Sequence, residues 1–265
     1  MGPKQKRKTI RWAVVVLILL ILAILAAFAL TKGWFLHRVP DQYPLATQVV
    51  GAVELERDGM TSPLAGDYSL RAGDQLSTGD GAYLTVRWGD SALLLDSNSQ
   101  AVVTDQGGFG LELVAGQVFA MAEEDDPVTL SFDGQQFTLS AAIGDLTLGE
   151  EHQTFYLLSG SLTLDRQTYT QGQALTWTQD HISAVDYEVT VLDDFCIYAA
   201  LTAWEDHTLF WSREALEQVR SDREAQRQAE MQAQQAQQEQ QEAAQPQPDS
   251  DPAAASGQSS PPEAG

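Results

Sequence analysis

Apolar residues recur at every second position from Val49 to about Val191, and Gly, Asp, Asn or Ser separates the short runs. Such alternation is typical of half-buried strands. Several runs begin just after a glycine, including those at Gly51 and Gly160. Glycine suits a tight corner because it adopts positive φ without a steric cost. The pattern predicts a mainly β domain over residues 49–191, built of short strands stacked by tight turns.

The pattern changes near Asp193, where Phe195, Tyr198 and Leu201 recur at helical spacing after two acidic residues. Acidic side chains favour a helix N-terminus. We therefore predict packing helices over residues 192–220, with Ser212 as a cap. Residues 221–245 are rich in Gln, Ala and Glu and predict a solvated helix or spacer. The Pro, Ser and Ala content of residues 246–265 predicts a disordered tail.

Near the start of the chain, Trp12 to Leu30 forms a run of 19 apolar residues. A helix of that length spans about 28 Å, close to the thickness of the hydrocarbon core. With the basic residues 1–11 before it, the run predicts a transmembrane helix over residues 12–30 and a cytoplasmic N-terminus. A linker over residues 31–48 then leads to an extracytoplasmic domain in a single-pass protein of the cell membrane. The alternative is a secretory signal cleaved after Ala29.

Charge and cysteine content narrow the possible partners. The net charge is -22, and residues 1–40 contribute seven bases and no acid, so the acidic excess lies in the rest of the chain. Nucleic acid is excluded as an expected partner, because binding a polyanion requires clustered Lys and Arg. The single cysteine excludes an internal disulfide and a zinc cluster made of cysteines.

Three ordered motifs resemble those of a known family. The first runs from Leu70 through Gly73-Asp74 to Thr78-Gly79-Asp80-Gly81, the second is Trp88-Gly89-Asp90-Ser91, and the third is Leu113-x-Ala115-Gly116-x-Val118. Together with Gly144, Gly160 and Gly172 they resemble the FecR-like family, the extracytoplasmic domain named after the ferric-citrate regulator, over residues 51–178. The motif turns are Gly73, Asp74, Thr78, Gly79, Gly81, Gly89, Asp90, Gly116, Gly144, Gly160 and Gly172.

The resemblance implies a small β-solenoid or β-roll whose corners are made by these residues. At Gly144-Asp145 the family usually shows Arg-Gly-Thr, so the aspartate departs from the pattern. Founding members couple an outer-membrane receptor to a sigma factor through a cytoplasmic domain. Eleven residues before the apolar run are too few for such a domain, so the sigma-regulator role is not expected.

Several residues have side chains that bind metals, cations or sugars in other proteins, but their patterns here favour structural roles. His37, His152, His181 and His207 lack metal-ligand spacing, and Cys196 fits a buried helix face. The acidic run 123–126 predicts a solvated loop, with cation binding as its minority alternative, and Asp96-x-Asn98-x-Gln100 predicts a polar turn. Trp88 and Trp177 would stack on sugar rings if exposed, although buried packing is the default.

No catalytic, cofactor or metal motif occurs in the sequence. We therefore expect a membrane-anchored, non-catalytic binding or scaffolding module of the bacterial cell envelope, with an envelope protein or a glycan as its partner. The alternatives are a transmembrane signalling regulator of the FecR type and a cell-wall glycan-active protein.

Overall fold

The computed structural model describes residues 43–105, 108–178, 181–203 and 207–244. The chain divides into two compact units, one up to Trp211 and one from Ser212. In the first unit, short antiparallel strands form two sheets, which we name sheet A and sheet B.

Sheet A contains nine strands in the order β17-β16-β13-β12-β9-β7-β6-β1-β4. In chain order they are β1 (Leu45–Val50), β4 (Tyr68–Ser69), β6 (Tyr83–Trp88), β7 (Ser91–Leu95), β9 (Phe109–Ala122), β12 (Ala142–Leu148), β13 (Gln153–Ser159), β16 (Gln173–Trp177) and β17 (Ile182–Asp186). Strand β1 begins inside the stretch predicted as a linker.

Sheet B shares β9 and runs in the order β3-β2-β5-β8-β9-β10-β11. Its other strands are β2 (Val53–Arg57), β3 (Met60–Pro63), β5 (Gln75–Thr78), β8 (Gln100–Asp105), β10 (Val128–Phe132) and β11 (Gln135–Leu139). A separate hairpin consists of β14 (Ser161–Leu164) and β15 (Gln167–Thr170).

The core lies between the two sheets, and the alternation in the sequence selects its residues. In β10, Val128, Leu130 and Phe132 are buried while the intervening Thr129 and Ser131 are half-buried. These buried residues belong to one cluster that also includes side chains of sheet A, such as those in β7, β9 and β13. Burying an apolar face is the main favourable term in folding. One continuous core therefore stabilises both sheets.

The outer face of sheet A is covered by helix α1 (Asp194–Ala203). Asp193 caps the helix, because its carboxylate accepts a hydrogen bond from the Cys196 N–H at 2.7 Å. On the same face Tyr198 contacts Tyr83 of β6, with ring centroids 6.3 Å apart. Strand β7 is buried at all five positions, because one of its faces meets the core and the other lies on the outer side of the sheet, which α1 covers. The helix predicted after Asp193 is confirmed.

The second unit contains helix α2 (Arg213–Ala244). Ser212 caps it, since the Ala215 N–H donates to Ser212 Oγ at 3.3 Å. Side chains four residues apart pair along its surface, including Arg213 with Glu217 at 2.9 Å. The helix continues through most of the stretch predicted as helix or spacer, and the predicted tail over residues 246–265 lies outside the described residues.

Two expectations from the sequence require correction. The chain is mainly β as predicted, but a β-solenoid is not observed: neighbouring strands are antiparallel apart from β9 with β10, and the sheets are not closed. The physical reason lies in the turns. Asp58-Gly59 and Asp133-Gly134 have positive φ at both positions, a geometry that joins adjacent antiparallel strands as hairpins.

The second correction concerns the membrane. In the part of the chain that the structure describes, no helix is both long and apolar enough to cross a lipid bilayer. This finding contradicts the predicted transmembrane helix and the single-pass cell-membrane localisation with a cytoplasmic N-terminus. The apolar run at residues 12–30, on which that prediction was based, lies outside the described residues.

Gly116 is the point at which β9 passes from one sheet to the other. Residues before it pair with β8 and β10, and residues from Gly116 onward pair with β12. Its φ is +88°, and a Cβ there would lie 2.3 Å from Ser99 Oγ and 2.6 Å from Ser99 Cα. Both the backbone conformation and the lack of space therefore require glycine.

Replacing Gly116 with alanine is expected to lower the free energy of unfolding by about 3 kcal/mol, because it adds backbone strain and a steric overlap. Gly134→Ala is the matched control: its φ is +75°, but a Cβ there meets nothing within 4 Å. The control should lose only about 1 kcal/mol. Chemical denaturation of both variants measures the difference, and equal losses would contradict the assigned role of Gly116.

Candidate functional site

The first family-like motif forms a loop that is held by an ion pair. The Arg57 guanidinium donates to both carboxylate oxygens of Asp74, at 2.7 and 2.6 Å, and the backbone N–H of Arg71 donates to Asp74 Oδ2 at 2.7 Å. Asp74 is 2% exposed. The hydrogen bond to Asp74 raises the pKa of Arg57 above its ordinary value. A two-point contact of this kind fixes orientation as well as distance, so residues 70–74 have a defined position.

Thr78, in the same motif, joins the two sheets through buried hydrogen bonds. Its hydroxyl donates to the carbonyl of Asp96 at 2.5 Å and accepts from the Ser99 N–H at 2.9 Å. Ser99 Oγ in turn accepts from the Gln117 N–H at 3.0 Å, next to Gly116. The predicted polar turn over residues 96–100 is confirmed, and its backbone groups are satisfied by these side chains.

The second motif contacts the acidic run. Asp126 is buried; its carboxylate accepts from the Asp90 N–H at 2.9 Å, and its carbonyl accepts from Ser91 Oγ at 2.5 Å. A Cβ on Gly89 would overlap the Asp126 carboxylate, which lies 2.1 Å away. The run is therefore not the fully solvated loop that the sequence predicted, because its last member packs beneath the β6–β7 turn.

The remaining motif residues are spread over both sheets and form no single site. Gly73, Gly81, Gly160 and Gly172 lie between strands and have positive φ, and Gly79 approaches the carbonyl of Ala52. Gly144 is not in a turn, since it lies within β12 where a Cβ would meet the ring of Phe155 at 2.1 Å. These motif residues therefore shape turns and close backbone contacts of the fold and do not form a common site.

A cleft of about 570 Å³ lies beside the first motif, and we name it the Trp88 cleft. It is formed where several segments end: the loop after β4, the end of β6, the end of β8 and the start of β9. Trp88 is half-buried and stacks on Phe109, with centroids 5.8 Å apart and planes 28° apart. The lining residues are Tyr43, Pro44, Leu70, Arg71, Ala72, Trp88, Val103, Thr104, Asp105, Gly108 and Phe109.

The cleft combines an aromatic wall with a few polar groups. Arg71 and Asp105 are exposed and carry opposite charges. Tyr43 is 58% exposed, whereas Phe109 is buried and stacks on Trp88. Among the cleft residues that the structure describes, Asp105 is the one carboxylate. The wall is thus mixed in polarity, and the volume of the cleft lies in the range of small-molecule sites.

Asp145 forms a second polar centre, on the outer face of sheet A. It is fully buried, and its Oδ2 accepts hydrogen bonds from Gln117 Nε2 at 2.8 Å and Thr147 Oγ1 at 3.2 Å. Its other oxygen is enclosed and has no hydrogen-bond partner in the described part of the chain. Burial raises the pKa of Asp145 well above its ordinary value, and the charges of Asp193 and Asp96 add to the rise. The site therefore favours the protonated acid.

The histidines do not gather into one site. His152 borders a cleft of about 200 Å³ with Asp193, His181 contacts Thr178 at 3.0 Å, and His207 lies 3.6 Å from Glu123. His37 lies outside the described residues. In the ranges that the structure describes, no group of three or more His, Cys, Asp or Glu could hold a metal ion.

Cys196 and Trp177 are core residues. Cys196 is buried as predicted, and burial raises the pKa of its thiol, so the nucleophilic thiolate is disfavoured. Trp177 is 5% exposed and packs between Phe132 and Phe137, at 5.1 and 5.7 Å. Of the two tryptophans considered for sugar stacking, Trp88 lines a cleft and Trp177 is buried.

Comparison with known proteins assigns no family. No protein-family model matches the sequence, and no curated protein matches it. Two solved structures of a putative anti-sigma factor from Parabacteroides distasonis ATCC 8503 are distantly similar. One is 12% identical with a TM-score of 0.36 and covers 43% of this chain and 60% of its own. The other is 14% identical with the same TM-score and covers 52% and 68%. The chain thus spans less than two thirds of the length of the first structure, and both similarities are too low to carry an argument.

Arg71, Asp105, Phe109 and Tyr43 were not identified from the sequence as site residues. They are far apart along the chain, and only the strand pairing brings them together. A partial signal existed in the first motif, since Arg71 lies between two of its residues. Asp145 had been noted only as a departure from the family pattern.

Asp74→Ala should lower the free energy of unfolding by about 2–4 kcal/mol, since it leaves the Arg57 guanidinium without its ion-pair partner and frees the motif loop. Asp90→Ala is the control, because Asp90 is exposed and contacts Asp126 through its backbone N–H. The control should change stability by about 0.5 kcal/mol or less. Urea titration measures both variants. A similar loss in both would contradict the structural importance of the Arg57 pair.

Asp145→Asn should remove a pH-dependent loss of stability. Because the folded protein raises the pKa of Asp145, folding takes up a proton, and wild-type stability falls as pH rises from the unfolded value toward the folded value. The stability of Asp145→Asn minus that of wild type should therefore grow with pH over that window. Denaturant titrations at a series of pH values measure this difference.

Glu124→Gln is the control for Asp145→Asn, because it makes the same change from acid to amide at an exposed position. Its difference from wild type should stay nearly constant with pH. The other titratable groups acting on the buried centre, which both variants retain, are Asp96, Asp193, Tyr156, Tyr187 and Cys196. A constant difference for Asp145→Asn as well would contradict the predicted proton uptake.

Proposed function

We propose that this chain is a FecR-like, non-catalytic binding module and that its ligand occupies the Trp88 cleft. The observation that carries the proposal is the position of the first motif: residues 70–72 form a wall of the cleft, and the Arg57–Asp74 pair holds that wall in place. A site whose wall is fixed before the ligand arrives loses less conformational entropy on binding.

The composition of the cleft favours binding over catalysis. Hydrolysis of a glycosidic bond generally uses two carboxyl groups that flank the bond. The described residues of the cleft supply Asp105 alone, and it is exposed. Asp145, the carboxyl group with a strongly raised pKa, is enclosed on the outer face of sheet A and does not line this cleft. The proposed role of the cleft is therefore recognition.

Site-specific photo-crosslinking tests the proposal in the cells that produce the protein. A photoreactive amino acid at Ala72, on the exposed rim of the cleft, should form an adduct with the ligand. The same amino acid at Thr168, exposed on the β14–β15 hairpin, is the control. Adduct formation at Ala72 should decrease when Trp88→Ala is added. Equal labelling at both positions, or none at Ala72, would contradict the proposal.

The mass of the adduct distinguishes the two partner classes expected from the sequence, an envelope protein and a glycan. A peptide mass identifies a protein partner, and a series of hexose or aminohexose increments identifies a glycan. Either result supports a binding module, so this experiment tests the proposed function independently of the ligand class.

A further inference from the structure

We infer that the Trp88 cleft binds an uncharged saccharide, whose ring stacks on Trp88 while its hydroxyl groups contact Arg71 and Asp105. The inference rests on the proposed function and specifies its ligand class. It is carried by three features of the cleft: an aromatic surface, balanced charge, and the shortness of the strand edge that it exposes.

The aromatic surface matches one side of a sugar ring. Trp88 stacks on Phe109, which restrains its orientation, and Tyr43 provides an exposed ring on the lining. A pyranose presents a face of C–H groups, which packs on an aromatic ring much as other apolar groups do. A rigid aromatic side chain also loses little entropy when it makes such a contact.

The polar groups of the cleft match the hydroxyl groups of a sugar. Arg71 donates hydrogen bonds only, and the Asp105 carboxylate accepts them. Sugar hydroxyl groups both donate and accept, so they satisfy both residues at once. The two charges cancel within the cleft, whereas the whole chain carries a net charge of -22. That surrounding field opposes the approach of a polyanion, so an uncharged saccharide is favoured over an acidic one.

The strand pairing argues against an extended peptide. Peptides commonly bind β proteins by adding a strand to a free edge. Here β6 pairs with β1 and β7, and β8 pairs with β9 as far as Asp105 but with β5 only over residues 100–102. Val103 bonds to the motif loop, so Thr104 and Asp105 are the part of β8 without a strand partner on that side. Two residues are too short an edge for strand addition, which favours recognition by side chains, as in saccharide binding.

Titration calorimetry of the full chain tests the ligand class with three probes: cellotetraose, N-acetylated chitotetraose and trigalacturonate. At least one neutral probe should bind, and its affinity should not fall when the NaCl concentration is raised. Trp88→Ala should weaken binding about ten-fold, the size expected for loss of one aromatic stacking contact. Tyr198→Ala, which removes an exposed aromatic ring from α1, is the matched control and should leave affinity unchanged.

Arg71→Gln provides a second test that does not alter the packed Trp88. Arg71 is exposed, so the substitution should preserve the fold while weakening binding several-fold by removing the guanidinium donors. Circular dichroism of each variant verifies its fold. Wild-type affinity in both Trp88→Ala and Arg71→Gln would overturn the inference.

The remaining outcomes separate this inference from the proposed function. Preference for trigalacturonate, or no binding of the neutral probes at millimolar concentration, overturns the saccharide assignment. If calorimetry fails in either of these ways but a protein adduct forms at Ala72, the proposed binding module is supported and only the saccharide assignment is wrong. If no adduct forms at Ala72 either, the proposed function and the saccharide assignment are both wrong.

Discussion

The fold depends on one strand that belongs to two sheets. The first half of β9 pairs with β8 and β10 in sheet B, and its second half pairs with β7 and β12 in sheet A. The change of partners requires a bend at Gly116, where a Cβ would overlap Ser99. The hydrogen bonds of Thr78 and Ser99 lie at this bend. The turn chemistry of the first and third motifs therefore supports one junction.

The Trp88 cleft is a by-product of this arrangement. Phe109 begins β9 and Trp88 ends β6, so the pairing of β9 with β8 and β7 brings their rings together. The motif loop closes one side because Asp74 is paired with Arg57 of β2. The shape of the cleft is thus defined by strand packing on one side and by the Arg57–Asp74 ion pair on the other.

The sequence predicts which segments form strands and where helices begin, but it does not predict which strands pair with each other. Alternation identified the β domain, and Asp193 and Ser212 identified helix starts, because these signals depend on neighbouring residues. The solenoid prediction failed because it followed the family resemblance, whereas the Asp58-Gly59 and Asp133-Gly134 turns, which were not considered, are hairpin turns. Trp88 was recognised as a candidate, but Arg71, Asp105 and the burial of Asp145 depend on which strands become neighbours.

The sharing of β9 has a consequence for how the chain reaches this fold. About half of the strand pairs in the described chain join consecutive antiparallel strands, whereas β10 must align in parallel with β9 and so cannot form as a simple hairpin. Neither sheet is complete until β9 has both sets of partners. If the pairing of β9 with β10 forms late, sheet A and sheet B assemble together rather than by stepwise addition of independent hairpins.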